Sequence, residues 1–294
     1  MSIVFRTYNP FPLFSEDYTK LRNFLILLDS HNYHYGRWDW MVTHSYLDKS
    51  GLGKIGLWED SGELVGLATY DCSLGKAYLL TLKGYEYLKE EMLIYSKDAL
   101  AKDNEFSVLV LDGDKGFSDI VASKGYIATT EKENDAVFYI TDTNTDYTLP
   151  HGFAITSMDE TFDLYKYGQV LWKGFNHEVN GEGKFVFSGE ERYKAEFLRP
   201  NVNLNLKVAA VAPNGDFVSY CGMWYEPSLE SALVEPVATD PAFRKMGLGR
   251  AVVLEAIKRC KELGAKRAYV GSSQQFYYSI GFRPYATSTW WKKH

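Results

Sequence analysis

Glu235-Pro236-Val237-Ala238-Thr239-Asp240-Pro241-Ala242-Phe243-Arg244-Lys245-Met246-Gly247-Leu248-Gly249-Arg250-Ala251 reads as a strand, a turn and the opening of a helix. Ser231 to Thr239 is rich in strand formers, and a Pro-bearing turn follows it. Gly247 to Leu263 is apolar at helical spacing and stops at Gly264. The first N–H groups of a helix have no partner inside it, and the helix dipole favours an anion there. Gly247 and Gly249 let that backbone come close to a ligand, while Arg244, Lys245 and Arg250 add positive charge. The combination suits a pyrophosphate. The plainer reading is a crossover loop with exposed basic residues, and Gly-x-Gly alone does not separate the two.

The longer string does. Arg244-Lys245-Met246-Gly247-Leu248-Gly249 resembles, without a gap, the acyl-CoA-binding motif Arg/Gln-x-x-Gly-x-Gly/Ala of the GNAT (GCN5-related N-acetyltransferase) superfamily. The second motif of that family, Phe/Leu-Tyr-x-x-x-Gly-Phe, is matched by Phe276-Tyr277-Tyr278-Ser279-Ile280-Gly281-Phe282. The resemblance covers about residues 151 to 290. It implies acetyl-CoA as cosubstrate and no metal. It also implies a strand edge at Val237, Ala238 and Thr239 that hydrogen-bonds the pantetheine. A pyrophosphate loop would run through Arg244, Lys245, Met246, Gly247, Leu248, Gly249, Arg250 and Ala251, with Ser272, Phe276 and Tyr277 beside the cosubstrate. One departure is visible: the family often carries an Asn where this chain has Gly271-Ser272-Ser273-Gln274-Gln275, so Ser272 or Ser273 stands in for it.

In this family an amine attacks the thioester directly in a ternary complex, so much of the rate comes from holding the reactants in attack geometry. By position Tyr277 is the proton donor to the leaving thiolate, with Tyr278 as substitute; the alternative is that Tyr277 only packs on the pantetheine arm. Glu235 is the first choice for the base that takes the amine proton, since burial in the sheet would raise its pKa. Strand alternation puts it on one face with Leu233 and Val237. The alternative is a structural Glu paired with a loop cation such as Arg244. Glu226 and His177 are weaker candidates, and His177 reads first as a surface-loop histidine.

The rest of the chain repeats this half. Asp60-Ser61-Gly62 and Pro213-Asn214-Gly215 each join two strands, and Gly125 and Gly281 each stop a short helix at nearly the same offset. Helices are expected over Tyr18 to Leu28, over most of His31 to Leu47, over Tyr85 to Ala101, and from a cap at Ser157-Met158-Asp159-Glu160 towards Trp172. The polar segment Thr141 to Pro150 reads as the boundary. The expected fold is α/β (α+β): two tandem GNAT-like domains, each a mixed, mostly antiparallel twisted sheet flanked by helices. Residues 1–145 form a degenerate domain and residues 151–294 a catalytic one. In the first half the equivalent of the phosphate-loop motif is Leu79-Leu80-Thr81-Leu82-Lys83-Gly84-Tyr85-Glu86-Tyr87-Leu88, with one Gly, one Lys and a Glu that repels a phosphate. That arrangement is similar to mycothiol synthase-like tandem proteins.

Composition narrows the function. The 294 residues carry a net charge of −6, which argues against a nucleic-acid partner and weakly for a cationic substrate. Gly51-Leu52-Gly53-Lys54-Ile55-Gly56 matches a dinucleotide-binding pattern but precedes a strand instead of opening a helix. No long apolar run suggests a membrane partner, and no signal segment is read at the start, so the cytoplasm is expected. Cys72, Cys221 and Cys260 form no Cys-x-x-Cys pair and read as small buried hydrophobes. His31 and His34 find no third ligand. The rings, 17 Phe, 22 Tyr and 7 Trp, read as a seam between the halves or as an aromatic box for the acceptor. The leading expectation is N-acetyl transfer to a small-molecule amine by a monomer or homodimer. The alternatives are an antibiotic or xenobiotic acetyltransferase and a non-catalytic acyl-CoA-binding regulator.

Overall fold

The computed structural model describes residues 2–29, 32–141 and 143–293; His31 and Asp142 lie outside them. By internal contacts the chain divides into two units, residues 1–135 with 284–294, and residues 136–283. The elements run β1 (Ile3–Thr7), α1 (Glu16–Leu28), α2 (Tyr35–Met41), β2 (Gly56–Asp60), β3 (Glu63–Thr69), β4 (Lys76–Thr81), α3 (Lys89–Ala99), β5 (Ser107–Leu111), α4 (Lys115–Ser123) and β6 (Tyr126–Tyr139). Then come β7 (Ala154–Ser157), α5 (Leu164–Gly174), α6 (Glu190–Phe197), β8 (Lys207–Val211), β9 (Phe217–Glu226), β10 (Ser231–Thr239), α7 (Leu248–Glu262), β11 (Arg267–Val270), α8 (Gln275–Ile280) and β12 (Arg283–Lys293). One succession of strands and helices thus occurs twice.

In the first unit the strand order is β1-β2-β3-β4-β5-β12-β6, with β4 and β5 parallel. Helix α1 forms where expected because Ser15 accepts the Tyr18 N–H and Glu16 and Asp17 favour its N-terminus. Its buried face is Tyr18, Leu21, Phe24 and Leu25, and a fully buried side chain of this size contributes roughly 2 kcal/mol. Among the described residues of 32–47 the α-helix is α2, closed over rings that pack inside this unit: Trp38 meets Tyr8 at 5.7 Å and Tyr18 at 6.0 Å. Tyr33, Tyr35, Trp38 and Trp40 are buried there.

In the second unit the order is β6-β11-β10-β9-β8-β7, and β10 with β11 is the parallel pair. Its core lies between the sheet and α7, from Val208, Cys221, Met223, Val234 and Ala268 to Val252, Val253, Ala256 and Ile257. A smaller cluster under α5 joins Tyr167, Val170, Phe197 and Tyr220.

Two expectations change. The helix expected from Ser157 begins at Leu164, capped by Asp163, because Ala154–Ser157 is taken as the edge strand β7. The boundary expected at Thr141 to Pro150 also differs from the observed division. The final strand belongs to the first unit, where β12 pairs with β5 from Ser288↔Leu111 to Lys292↔Ser107. Meanwhile Ala136–Tyr139 of β6 pairs with β11 in the second unit. Burial of Trp290 against Tyr78 and the backbone ladder on β5 hold β12 there. Linker composition carries no signal of such pairing.

Candidate active site

The site begins with an interruption in β10. Val234 pairs with Met223 and Val237 with Cys221, so one extra residue is accommodated at Glu235–Pro236. The bulge is fixed from β9: the Trp224 indole N–H donates to the Glu235 carbonyl at 3.0 Å. A Cβ built at Gly222 would lie 2.6 Å from that carbonyl, so only glycine fits opposite it. The bulge also corrects the expected parity. Val237 now shares the α7 face with Val234 and Cys221, whereas Leu233 lies on the other face. Glu235 sits at the turnover point, half-buried.

Beyond the bulge β10 loses its parallel neighbour. Pairing with β11 covers only Ser231 to Leu233, yet β10 continues to Thr239. The Asp240 N–H donates to the Val218 carbonyl, so by alternation the amides of Val237 and Thr239 face away from β9. They line an edge on which an extended, amide-bearing chain can hydrogen-bond. Ala238 turns towards α5, where Gly174 packs so closely that a Cβ would meet the Ala238 Cβ at 2.6 Å.

The loop after β10 delivers α7 with its N-terminus open. Lys245 and Gly247 take φ of 64° and 83°, and no side chain caps the helix. Leu248 and Ala251 are buried in the core, so what they offer a ligand is backbone. Gly249 faces Thr239 and Phe276: a Cβ there would meet the Thr239 Oγ1 at 3.1 Å and the Phe276 ring at 3.2 Å. Lys245 and Met246 are exposed. The other two basic residues do structural work. Arg244 donates to the carbonyls of Thr239 and Gly174 and to Asn176 Oδ1, tying the loop to the end of α5. Arg250 donates to the Ser279 carbonyl at 3.1 Å. The ion pair weighed between Glu235 and Arg244 is thus replaced by these contacts of Arg244. A cavity of about 490 Å³ adjoins Met246, Gly247 and Arg250, walled by Asp146 to Pro150 of the former linker.

On α8, Tyr277 is buried beside Phe276 and Phe282. Burial pushes its phenol well above the ordinary value, helped by Cys221 and the Glu235 carboxylate, so it stays protonated through neutral pH. Ser272 accepts the Gln274 N–H at 3.2 Å and shapes the turn before α8. The weaker base candidates have other partners: Glu226 accepts from the Ser228 N–H and hydroxyl, and His177 stacks on Trp172 and pairs with Glu182 at 2.9 Å. No cluster of three His, Cys, Asp or Glu suited to a metal is found among the described residues. No helix among them is long and apolar enough to cross a membrane. Cys221 and Cys260 are buried, and burial lifts the Cys260 thiol to about 12; Cys72 is half-buried.

Sequence reasoning missed Gly222, Trp224 and Lys207. The buried Lys207 ammonium donates to the Met223 carbonyl at 2.9 Å and lies 3.6 Å over the Trp224 ring that holds the bulge. A Trp on a strand carries no signal that its N–H will reach a bulged carbonyl across the sheet.

A parallel strand pair that parts beside an uncapped, glycine-bearing helix N-terminus is the framework of the candidate site. Residues 175–282 match the model of the acetyltransferase (GNAT) family. Over 104 residues the chain is 26% identical to glucosamine 6-phosphate N-acetyltransferase of Trypanosoma brucei brucei, covering 33% of this chain and 71% of that protein. Among solved structures it resembles a GCN5-related N-acetyltransferase from Sphaerobacter thermophilus, with 14% identity, a TM-score of 0.61, and 99% and 95% of the two chains covered. It also resembles a tandem GNAT protein from the clavulanic acid biosynthesis pathway, with 12% identity, a TM-score of 0.62, and 99% and 98% covered. These two likenesses show the fold: mixed α/β, with a large mixed sheet flanked by helices.

Proposed function

We propose that the second unit transfers acetyl from acetyl-CoA to the amine of a small molecule. The observation that carries this reading is the open β10 edge leading to the uncapped N-terminus of α7. Val237 and Thr239 hydrogen-bond the pantetheine. The amides of Leu248, Gly249 and Arg250 receive the pyrophosphate, with the Lys245 charge beside them. Glu235 accepts the proton of the incoming ammonium, the free amine attacks the thioester carbon, and the C–S bond breaks as the N–C bond forms. Tyr277 gives its proton to the departing thiolate, and the surplus proton of the acylated nitrogen restores the phenol. A relative that acetylates an amino sugar phosphate supports an amine acceptor. The first unit binds no acetyl-CoA in this reading.

Thiol release from acetyl-CoA over a panel of small amines tests the proposal. Turnover with at least one amine is expected. Acetyl-CoA binding without turnover on any amine would replace the reading with a non-catalytic acyl-CoA-binding protein.

A further inference from the structure

Lys207 is a buried cation that the steps of acetyl transfer leave unused. It is 3% exposed and stands on β8 in register with Gly222 of β9. Gly222 in turn lies opposite the β10 bulge, between Cys221 and Met223, the partners of Val237 and Val234. Lys207, Gly222 and the bulge at Glu235–Pro236 thus form one row across three strands. An ammonium withdrawn from water is costly unless its charge is met. Here it donates to the Met223 carbonyl at 2.9 Å, lies 3.6 Å over the Trp224 ring, and acts on the carboxylate of Glu196, which is itself 8% exposed and accepts from the Tyr167 hydroxyl at 2.7 Å.

Trp224 receives a second cation, because the Arg199 guanidinium lies 4.8 Å over its ring. Cations over an indole face draw electron density from the ring and make its N–H a stronger donor. That N–H goes to the Glu235 carbonyl at 3.0 Å. A bulge takes its extra residue out of the ladder, so this carbonyl finds its donor on a side chain. The donor sets the tilt of the peptide from which the Glu235 side chain departs. Two buried cations are therefore gathered on the one ring whose N–H ends at the residue proposed as base.

We propose that Trp224 and Lys207 are positioning residues for acetyl transfer: the buried ammonium fixes the indole, and the indole N–H fixes the bulge that aims Glu235 at the incoming amine. Their role rests on Glu235 being the base, as the acetyl-transfer reading has it, and they act through that residue rather than on the reactants.

Steady-state kinetics of the full chain test it, with acetyl-CoA and the amine of the panel that is turned over fastest. Trp224→Phe keeps a ring and loses the N–H. Its kcat should fall about fivefold or more, while its affinity for acetyl-CoA by calorimetry stays within about twofold of wild type. In a Glu235→Gln background the same substitution should cost less than about twofold more, because its route runs through the carboxylate already removed. Lys207→Met loses the charge and should lower kcat about threefold, and Lys207→Arg, which keeps a cation over the ring, should restore most of it. Full kcat in Trp224→Phe overturns the proposal. So does an equal loss in the Glu235→Gln background, which a merely structural role predicts, or a Lys207→Arg protein no faster than Lys207→Met. No turnover by the wild type on any amine removes the acetyl-transfer reading and this role with it, whereas wild-type turnover that Trp224→Phe retains in full removes the role alone.

Discussion

The two units treat the same helix end in opposite ways. In the second, Gly247-Leu248-Gly249 opens α7 with no side-chain cap and with Lys245 exposed beside it. In the first, Gly84-Tyr85-Glu86 stands at the matching place, and the Glu86 carboxylate accepts the Gly84 N–H at 2.8 Å. Glu90 and Glu91 add charge in the first turn of α3. There the chain supplies its own anion. Both parallel pairs part after three residues, β4 from β5 and β10 from β11. β10 bulges against β9, whereas β4 pairs with β3 in unbroken register. The parting of two strands is thus a property of the fold. In the proposed function, the emptied helix end and the bulge make an anion site of it.

The sharpest way to break this comparison is to give the second unit the first unit's residue. Gly249→Glu places a carboxylate where the pyrophosphate is proposed, against Thr239 and Phe276. Acetyl-CoA affinity should fall by about 100-fold or more, at roughly 1.4 kcal/mol per tenfold. Isothermal titration measures it, with the circular dichroism spectrum as the check on folding. Unchanged affinity would mean that the helix end is not the anion site. In the reverse exchange, Glu86→Gly should leave the stoichiometry at one acetyl-CoA per chain, because β4 still lacks the bulge.

Tyr277→Phe comes next. Loss of the proton donor should lower kcat by about 100-fold with little change in the KM for acetyl-CoA. A variant that keeps full kcat returns Tyr277 to a packing role. Glu235→Gln should cost about tenfold or more in kcat/KM and remove one limb of the pH–rate profile. If the profile keeps its shape, the base lies elsewhere.

The smallest effect concerns stability. Burial and the neighbouring Glu133 carboxylate raise Asp135 from an ordinary value of 3.8 to about 7 in the folded protein. Between those values the folded state holds more protons than the unfolded one, so stability falls as pH rises from about 4 through 7. Asp135→Asn should therefore match the wild type near pH 4 and exceed it by about 1–2 kcal/mol at pH 8. Urea melts at the two pH values check this. Equal midpoints at pH 8 would show that a counter-charge is already present.

Much of this was legible in the sequence, for identifiable reasons. Ser231 to Thr239 and Gly247 to Leu263 were read nearly to the residue because strand formers, Pro and Gly mark their own boundaries. The glycine offsets revealed the repeat. Three features escaped. β1 and β12 were not read because a strand that pairs far along the chain leaves no local turn signal. Val237 was assigned to the wrong face because a bulge adds one residue without changing composition. Arg244 and Arg250 were read as adding charge beside the loop, and the partners their guanidinium groups take, among them the Gly174 and Ser279 carbonyls, are set by where α5 and α8 end.

The exchanged final strand has a consequence for how the molecule is made. β5 and the front part of β6 receive their neighbour only when β12 emerges, long after both have been synthesised. The first unit therefore waits, its sheet unfinished, while the whole second unit is translated. A fragment cut at residue 145 would carry every landmark of the first half and still lack the strand that buries Trp290. The first unit is thus finished by a strand made after the whole second unit.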